Sequence, residues 1–70
     1  MPRLTCDFQS AALSRAAWTP HGEGDDGTLD ITFTSGRTFT YEGVPQRVFE
    51  ELRDAPSPGS FYHSNIKDRY

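Results

Sequence analysis

The sequence predicts an α+β domain, in which a small antiparallel β-meander of about three strands packs against one helix and a short C-terminal helix. Two strands are indicated because residues 28–34 and 37–42 alternate apolar and polar side chains, with the two-residue period of a half-buried strand. Ser35 and Gly36 lie between these stretches and indicate a hairpin. Residues 45–55 then change to the period of an amphipathic helix.

The length of the chain bounds this domain. Seventy residues are close to the lower limit at which one hydrophobic core sustains folding without a disulfide or a metal. Only 34% of the residues are hydrophobic, but 13% are aromatic, so stability is expected to rest on a few large side chains. Residues 1–9 carry Pro2 and little periodicity, and we expect them to be either a partly ordered leader or an edge strand.

Composition also excludes several classes of protein. Cys6 is the only cysteine, which excludes an internal disulfide and a multi-cysteine zinc site. No apolar stretch is long enough to span a membrane, and the N-terminus lacks the apolar region of a signal peptide. We therefore expect a cytoplasmic protein with no membrane partner and no cofactor. The net charge of -3 argues against nonspecific binding of nucleic acid, although Lys67 and Arg69 leave room for a local basic face.

The first strand of the predicted sheet is the most ambiguous element. The alanines of residues 10–19 favour a helix, but Pro20 closes the stretch early. We therefore favour a strand that ends at Trp18. The size of Trp18 predicts a place in the core, and an exposed position at an interface is the alternative.

Residues 20–27 predict a loop, in which the Asp26-Gly27 pair indicates a turn. His21, Glu23, Asp25 and Asp26 lie close enough in this loop to suggest a cation site. Their spacing does not match the ligand pattern of an EF-hand. We therefore favour an acidic loop exposed to solvent, with no metal site.

The length of the hairpin loop decides where Phe39 and Tyr41 point. If Ser35 and Gly36 alone form the loop, both rings lie on the face opposite Ile31, because cross-strand partners share a face. The sheet would then carry aromatic side chains on both of its faces.

A three-residue loop over residues 34–36 gives the other register. With its glycine in the left-handed conformation it forms a type I turn with a G1 bulge, so that Ile31 faces Phe39 and Leu29 faces Tyr41. We favour this loop, because a small domain gains most by gathering its apolar side chains in one core. It predicts that both rings are buried and that a threonine-rich face meets water.

A helix is predicted to follow the hairpin. Pro45 suits its first turn, where the missing N–H costs nothing. Val48, Phe49 and Leu52 then share one face, and the Pro-rich residues 56–59 end the helix.

A second, short helix is predicted over residues 61–70. Ser60 is expected to cap it, and Tyr62, Ile66 and Tyr70 recur every four residues along it.

These motifs, in this order, resemble the KTSC domain. This short module is found alone in bacterial and phage proteins and at the C-terminus of some lysyl-tRNA synthetases. The resemblance rests on LDITFTSGRTFTYEGVP, on A-x-S-x-G-x-F-Y from Ala55 and on a terminal I-K-x-x-Y from Ile66. It covers residues 10–70 as a KTSC-like domain and leaves residues 1–9 as a leader.

The hallmark of the family is Tyr-x-Tyr followed by Val-Pro, which corresponds to residues 39–41 and 44–45. This sequence has Phe39 in place of the first tyrosine and His63 where the family often has asparagine. The resemblance implies a single α+β domain without an established activity. It suggests nucleic-acid binding only through the association with synthetases.

The C-terminal segment is the best candidate for a ligand site. A helix N-terminus favours an anion, and aromatic rings beside cations supply the stacking and charge used to bind nucleotides and single strands. The candidate ligand-binding residues are Ser57, Gly59, Ser60, Tyr62, His63, Asn65, Lys67 and Arg69, with Arg37 from the hairpin.

A simpler structural interpretation of this segment is favoured, because capping serines are common at helix starts. Ser60 would then be only a cap, the apolar side chains of the helix would belong to the core, and the charges would face water. Arg37 and Arg47 could likewise each contact a phosphate, or each could pair with Glu50 or Glu51.

The leading hypothesis is therefore a non-catalytic binding module for an anionic, base-containing ligand, either RNA or a nucleotide. The alternative is a protein-interaction or adaptor module of bacterial or phage origin, acting through self-association or by docking to a host protein. An enzyme is not expected, since Cys6 and His63 have no third group to orient them as nucleophile and base. A compact nucleotide would require a homo-oligomer with the pocket between subunits, because so short a chain can hardly enclose it alone.

Overall fold

The fold is a four-stranded antiparallel sheet followed by two helices, in a computed structural model that describes residues 3–22, 24–67 and 69–70. The strands lie in chain order and are β1 (Leu4–Asp7), β2 (Leu13–Pro20), β3 (Asp26–Phe33) and β4 (Thr38–Pro45). The helices are α1 (Gln46–Asp54) and α2 (Pro58–Asn65). The predicted α+β meander is confirmed. No helix of the described residues is long and apolar enough to cross a membrane.

The sheet has one strand more than the roughly three expected, because part of the leader forms β1 at its edge. Leu4 pairs with Trp18, and Cys6 pairs with Ala16. Leu4, Cys6 and Phe8 are half-buried and pack against the core. Of the two alternatives for residues 1–9, the described part therefore adopts the edge strand.

The β3–β4 hairpin has the predicted three-residue loop. Gly36 has a φ of +95°, and its N–H donates to the carbonyl of Phe33 at 2.9 Å. The N–H of Phe33 donates to the carbonyl of Arg37 at 2.8 Å, which closes the loop. Ile31 consequently faces Phe39. The register predicted from the small-domain argument is confirmed.

One face of the sheet is polar, as the register requires. Thr32 and Thr38 bond through their hydroxyls at 3.0 Å, and the hydroxyl of Thr40 donates to Asp30 at 2.7 Å. Cross-strand pairs of this kind stabilise a sheet surface that has no helix over it. The threonine-rich face predicted to meet water is this face.

Gly43 shifts the register of β4 and so places Val44 in the core. Between the Gly27–Val44 and Leu29–Tyr41 pairs, β4 has one residue more than β3, and Gly43 adopts a φ of +70°. This bulge turns Val44 to the same face as Tyr41 and buries it completely. The carbonyl of Val44 then accepts a 2.8 Å hydrogen bond from the indole N–H of Trp18.

Trp18 is a core residue, as its size predicts. Only 1% of its surface is exposed, and its ring lies directly over Gly27. The predicted turn at Asp26-Gly27 is wrong, since β3 already begins at Asp26. A Cβ atom on Gly27 would lie 2.6 Å from Cε2 of Trp18, so this glycine serves a close approach and not a turn.

The first helix covers one end of the sheet. α1 begins immediately after Pro45 and not with it, and the N–H of Gln46 donates to the carbonyl of Asp25 at 2.9 Å. Val48, Phe49 and Leu52 are buried, as their spacing predicts.

The second helix is displaced towards the N-terminus from its predicted position. α2 begins at Pro58, because the fixed φ of proline suits the first helical position, so Ser57 and not Ser60 occupies the N-cap position. It ends at Asn65, with Ile66 buried beyond it. The expected continuation of the helical face to Tyr70 is wrong, since 41% of Tyr70 is exposed.

Candidate functional site

A groove of about 390 Å³ lies between the β3–β4 hairpin and α2. Its lining is mostly apolar and aromatic, with two basic side chains. The lining residues are Ala12, Leu13, Phe33, Phe39, Gly59, Tyr62, His63 and Lys67. We call this feature the aromatic groove. It contains Gly59, Tyr62, His63 and Lys67 from the predicted ligand-binding set.

Phe39 is the most exposed phenylalanine or tyrosine of the groove, which corrects the prediction that it is buried. Its partner Ile31 is completely buried, whereas 43% of Phe39 is exposed. The register is right, but β4 is the last strand of the sheet, and in the described part of the chain nothing pairs beyond it. The face on which a side chain lies does not determine whether another element covers it.

Edge-to-face contacts fix the rings of the groove. The centroid of Phe33 lies 5.4 Å from that of Phe39 and 5.2 Å from that of Tyr62, with interplanar angles of 67° and 89°. Aromatic pairs prefer this geometry because the positive edge of one ring meets the negative face of the other. Phe39 is therefore held in place while much of its surface remains accessible.

Tyr41 connects the sheet to α2 behind the groove. Its ring contacts that of Tyr62 at a centroid distance of 6.0 Å, and the two half-buried hydroxyls form a hydrogen bond. Tyr41 is half-buried and Phe39 is exposed, so the prediction of a buried ring agrees better with Tyr41 than with Phe39. The phenol pair positions Tyr62 as a wall of the groove.

Gly59 has a packing role in the same region. A Cβ atom on Gly59 would lie 3.3 Å from the Cβ of Ala12, which is tighter than most such contacts. The glycine thus lets α2 approach the start of β2. This packing role accounts for a glycine at position 59 without any contact to a ligand.

Lys67 and His63 are the basic groups of the groove. Both side chains are exposed, and neither makes an ion pair with another described residue. They lie on the side of the groove formed by α2 and the residues after it. A negatively charged group bound beside the rings would meet both of them.

The other predicted site residues lie elsewhere. The hydroxyl of Ser57 donates to that of Ser60 at 3.1 Å, and Ser57 lines a separate cavity of about 320 Å³ at the start of α2. The Asn65 amide donates to the carbonyl of Phe61 within α2. Arg37 and Arg69 are exposed and are not among the described residues that line the groove.

Phe33 and Phe39 were missed as site residues by sequence reasoning, which assigned them to the core. The signal that could have found Phe39 is its position on the final strand before the helices, since a last strand in a meander lies at an edge. No local sequence pattern indicates that Ala12 and Leu13 line the groove.

The pKa of the Cys6 thiol argues against a role of Cys6 as a nucleophile with His63 as its base. Burial raises the pKa of Cys6 above its ordinary value of 9.0, and nearby Arg53 offsets only part of this effect. A raised pKa reduces the thiolate fraction at neutral pH, whereas a reactive cysteine requires a lowered pKa.

The acidic segment of residues 20–27 was the candidate cation site in the sequence. In the ranges 3–22, 24–67 and 69–70, no group of three or more His, Cys, Asp and Glu side chains is arranged to hold a metal. Glu23 lies outside the described residues. His21 lies 3.4 Å from a carboxylate oxygen of Glu42, on the polar face of the sheet.

Comparison with known proteins identifies the family of the chain. The sequence profile of the KTSC domain matches residues 9–70. The chain belongs to the KTSC domain family. This KTSC domain has the fold of a KTSC domain protein from Yersinia pestis, whose crystal structure superposes with a TM-score of 0.81 at 26% identity and covers 97% of this chain and 90% of that one.

Relatives of this KTSC domain include small proteins and segments of larger ones. A protein from Tsukamurella paurometabola is 34% identical over 62 residues, which cover 89% of this chain and 87% of that protein. A lysine–tRNA ligase from Trichormus variabilis is 44% identical over 43 residues, which cover 61% of this chain. The match spans only 8% of the ligase, so the module is a small part of that protein.

Proposed function

We propose that this KTSC domain is a non-catalytic binding module that takes an anionic, base-containing ligand, RNA or a nucleotide, in the aromatic groove. The observation that carries the proposal is the exposed ring of Phe39, held by Phe33 beside Tyr62 and the two basic side chains of the groove. Three further cavities, which are lined by Arg47, by Ser57 and by Arg15 among others, contain no aromatic ring.

The chemistry of the groove suits a base with its phosphate. Stacking of a base on an aromatic side chain contributes about 1–3 kcal/mol and tolerates any base. A volume of about 390 Å³ lies within the range of small-ligand sites. Lys67 supplies one positive charge, so a groove of this composition matches one phosphate and not a long stretch of backbone.

The relatives favour RNA over a free nucleotide. Several proteins that contain a related segment are named lysine–tRNA ligases, and tRNA is the substrate that the name states. If the segment has the same role in both contexts, the ligand of this chain is an RNA. The groove is open, which allows a base that remains joined to a strand to enter it.

Fluorescence anisotropy with short single-stranded RNA at low salt tests the proposal. Phe39→Ala is expected to weaken binding roughly tenfold, because it removes one stacking platform. Lys67→Gln is expected to weaken binding and to reduce the slope of log K against log salt by about 0.7, the value for one phosphate contact.

Matched controls separate the groove from general effects. Among the described residues, Tyr70 is the other large exposed apolar side chain, so Tyr70→Ala removes a similar ring outside the groove, and Arg69→Gln removes a similar charge. Neither control should change binding by more than about twofold. Absence of binding to RNA, single-stranded DNA and nucleotides at every salt concentration would overturn the proposal, and so would equal losses in controls and groove variants.

Docking to another protein is a second candidate function, and one observation favours it. Beside the exposed ring of Phe39, the outer edge of β4 pairs with no other strand of the described chain. An unpaired strand edge next to an apolar side chain is a common docking surface. A nuclease-insensitive pull-down of one stoichiometric partner, unchanged by Lys67→Gln, would favour this function over RNA binding.

A further inference from the structure

The outer edge of β4 carries backbone groups that face away from the sheet of the described residues. The hydrogen bond from the N–H of Phe33 to the carbonyl of Arg37 fixes which backbone groups of β4 point towards β3. Because these pairs alternate along an antiparallel ladder, Phe39 and Tyr41 bond to β3, and the N–H and C=O groups of Thr38 and Thr40 point outward. No strand of the described residues pairs with this edge.

The first half of this edge, residues 38–41, lacks the features by which proteins block strand pairing. β1, at the opposite edge, is only four residues long and ends at the charged Asp7. Residues 38–41 of β4 are uncharged, contain no proline and combine two threonines with two aromatic residues, all of high β-propensity. Pro45 and the bulge at Gly43 disrupt the edge only further along. The first half of β4 is therefore competent to pair.

We propose that the occupant of this edge is a second copy of the chain, paired antiparallel about a two-fold axis at Thr40. β4 pairs regularly with β3 from Thr38 to Tyr41, and the carboxylate of Glu42, the residue before the bulge glycine, accepts a hydrogen bond from Thr28 of β3. Thr40 is the centre of residues 38–42. Antiparallel pairing about this centre joins outward-pointing groups, with Thr40 opposite the partner's Thr40 and Thr38 opposite the partner's Glu42. This is the only register in which residues 38–42 pair with the same five residues of the partner.

Side-chain chemistry favours a second copy over an unrelated strand. Phe39 falls opposite the partner's Tyr41 in a non-hydrogen-bonded pair, where the Cα atoms are about 4.5 Å apart and side chains touch. Aromatic cross-strand pairs of this kind are stabilising. The uncharged residue at the axis avoids like-charge contact, and Thr38 falls opposite the partner's Glu42, so that no pair of like charges meets in this register. The segment is thus complementary to itself.

The pairing has a consequence for the aromatic groove. Phe39 belongs both to the groove and to the edge, so the dimer covers part of its exposed surface and adds the partner's Tyr41 beside it. The two sheets become one of eight strands, four from each copy. One strand edge buries little area, so the dimer is weak and forms as concentration rises. The inference does not depend on an RNA ligand.

Sedimentation velocity over a concentration series tests the dimer. The wild-type chain is expected to move from 7.9 kDa towards twice that mass. Thr40→Lys and Thr40→Glu, each alone, are expected to raise the dimer Kd roughly tenfold at low salt, because like charges then face each other at the axis. Mixing these two variants in equal amounts should restore association, because opposite charges then meet.

The control is Thr19→Lys, which adds the same charge on an exposed residue of the central strand β2. It should dimerise as the wild type does, and circular dichroism should show every variant folded. A wild-type chain that stays at 7.9 kDa at millimolar concentration overturns the proposal. A Thr40→Lys variant that dimerises as well as the control, or a mixture that fails to associate, overturns the two-fold register at Thr40.

Discussion

At the scale of single residues, the Trp18 side chain organises one end of the core. Its indole N–H binds the carbonyl of Val44, and its ring lies over Gly27. Both contacts depend on backbone geometry, since the bulge at Gly43 turns Val44 inward and the absence of a side chain at Gly27 leaves room for the ring. A buried tryptophan requires a partner for its N–H, and this one has it.

Gly27→Ala is expected to destabilise the fold by at least about 2 kcal/mol, because overpacking a core forces neighbouring atoms to move. The added Cβ would lie 2.4 Å from the carbonyl oxygen of Thr19 and 2.6 Å from the Trp18 ring. The free energy of unfolding in urea measures the effect. Gly24→Ala is the matched control, since its Cβ would meet nothing closer than 3.9 Å. Equal stability of the two variants would contradict this account of Gly27.

At the scale of elements, α2 is joined to the sheet by aromatic side chains more than by a continuous apolar stripe. None of its residues between Pro58 and Asn65 is fully buried. Tyr62 contacts Phe33 on β3 and Tyr41 on β4, and its hydroxyl bonds to that of Tyr41. The phenol pair therefore holds the wall of the aromatic groove in place.

A double-mutant cycle with Tyr41→Phe and Tyr62→Phe tests this connection. We expect a coupling of about 1 kcal/mol between the two hydroxyls in the free energy of unfolding, the usual contribution of a hydrogen bond. Tyr70→Phe, which alters an exposed phenol outside α2, should cost less than about 0.5 kcal/mol. Additive effects of the Tyr41→Phe and Tyr62→Phe substitutions would show that the hydroxyls do not interact in solution.

At the scale of the whole molecule, a 70-residue chain is expected to have a small free energy of unfolding. By the usual range per residue, unfolding is expected to cost roughly 4–10 kcal/mol. β1 contributes to this small total although it precedes the residues that match the family, since Leu4, Cys6 and Phe8 pack against the core.

Removal of residues 1–9 is expected to destabilise the domain by about 3 kcal/mol, because three half-buried apolar side chains are lost. The measurement is urea unfolding of the chain 10–70 against the full chain. A chain that lacks only residues 1–3 is the control and should retain nearly full stability. Equal stability of the chain 10–70 and the full chain would contradict a stabilising role of the three side chains that pack against the core.

The sequence by itself determined the parts of this protein that depend on neighbours along the chain. The alternation of β3 and β4 fixed the two faces of each strand. A left-handed Gly36 permits the three-residue turn, and the gain from gathering apolar side chains on one face selected the register of that turn. The periodicity of α1 likewise identified its buried side. The exposed surface of Phe39, its grouping with Phe33 and Lys67, and the separation of Ser57 from the groove were decided by the tertiary structure alone. The physical reason is that exposure at a sheet edge depends on which elements pack beside it, and no local pattern records that arrangement.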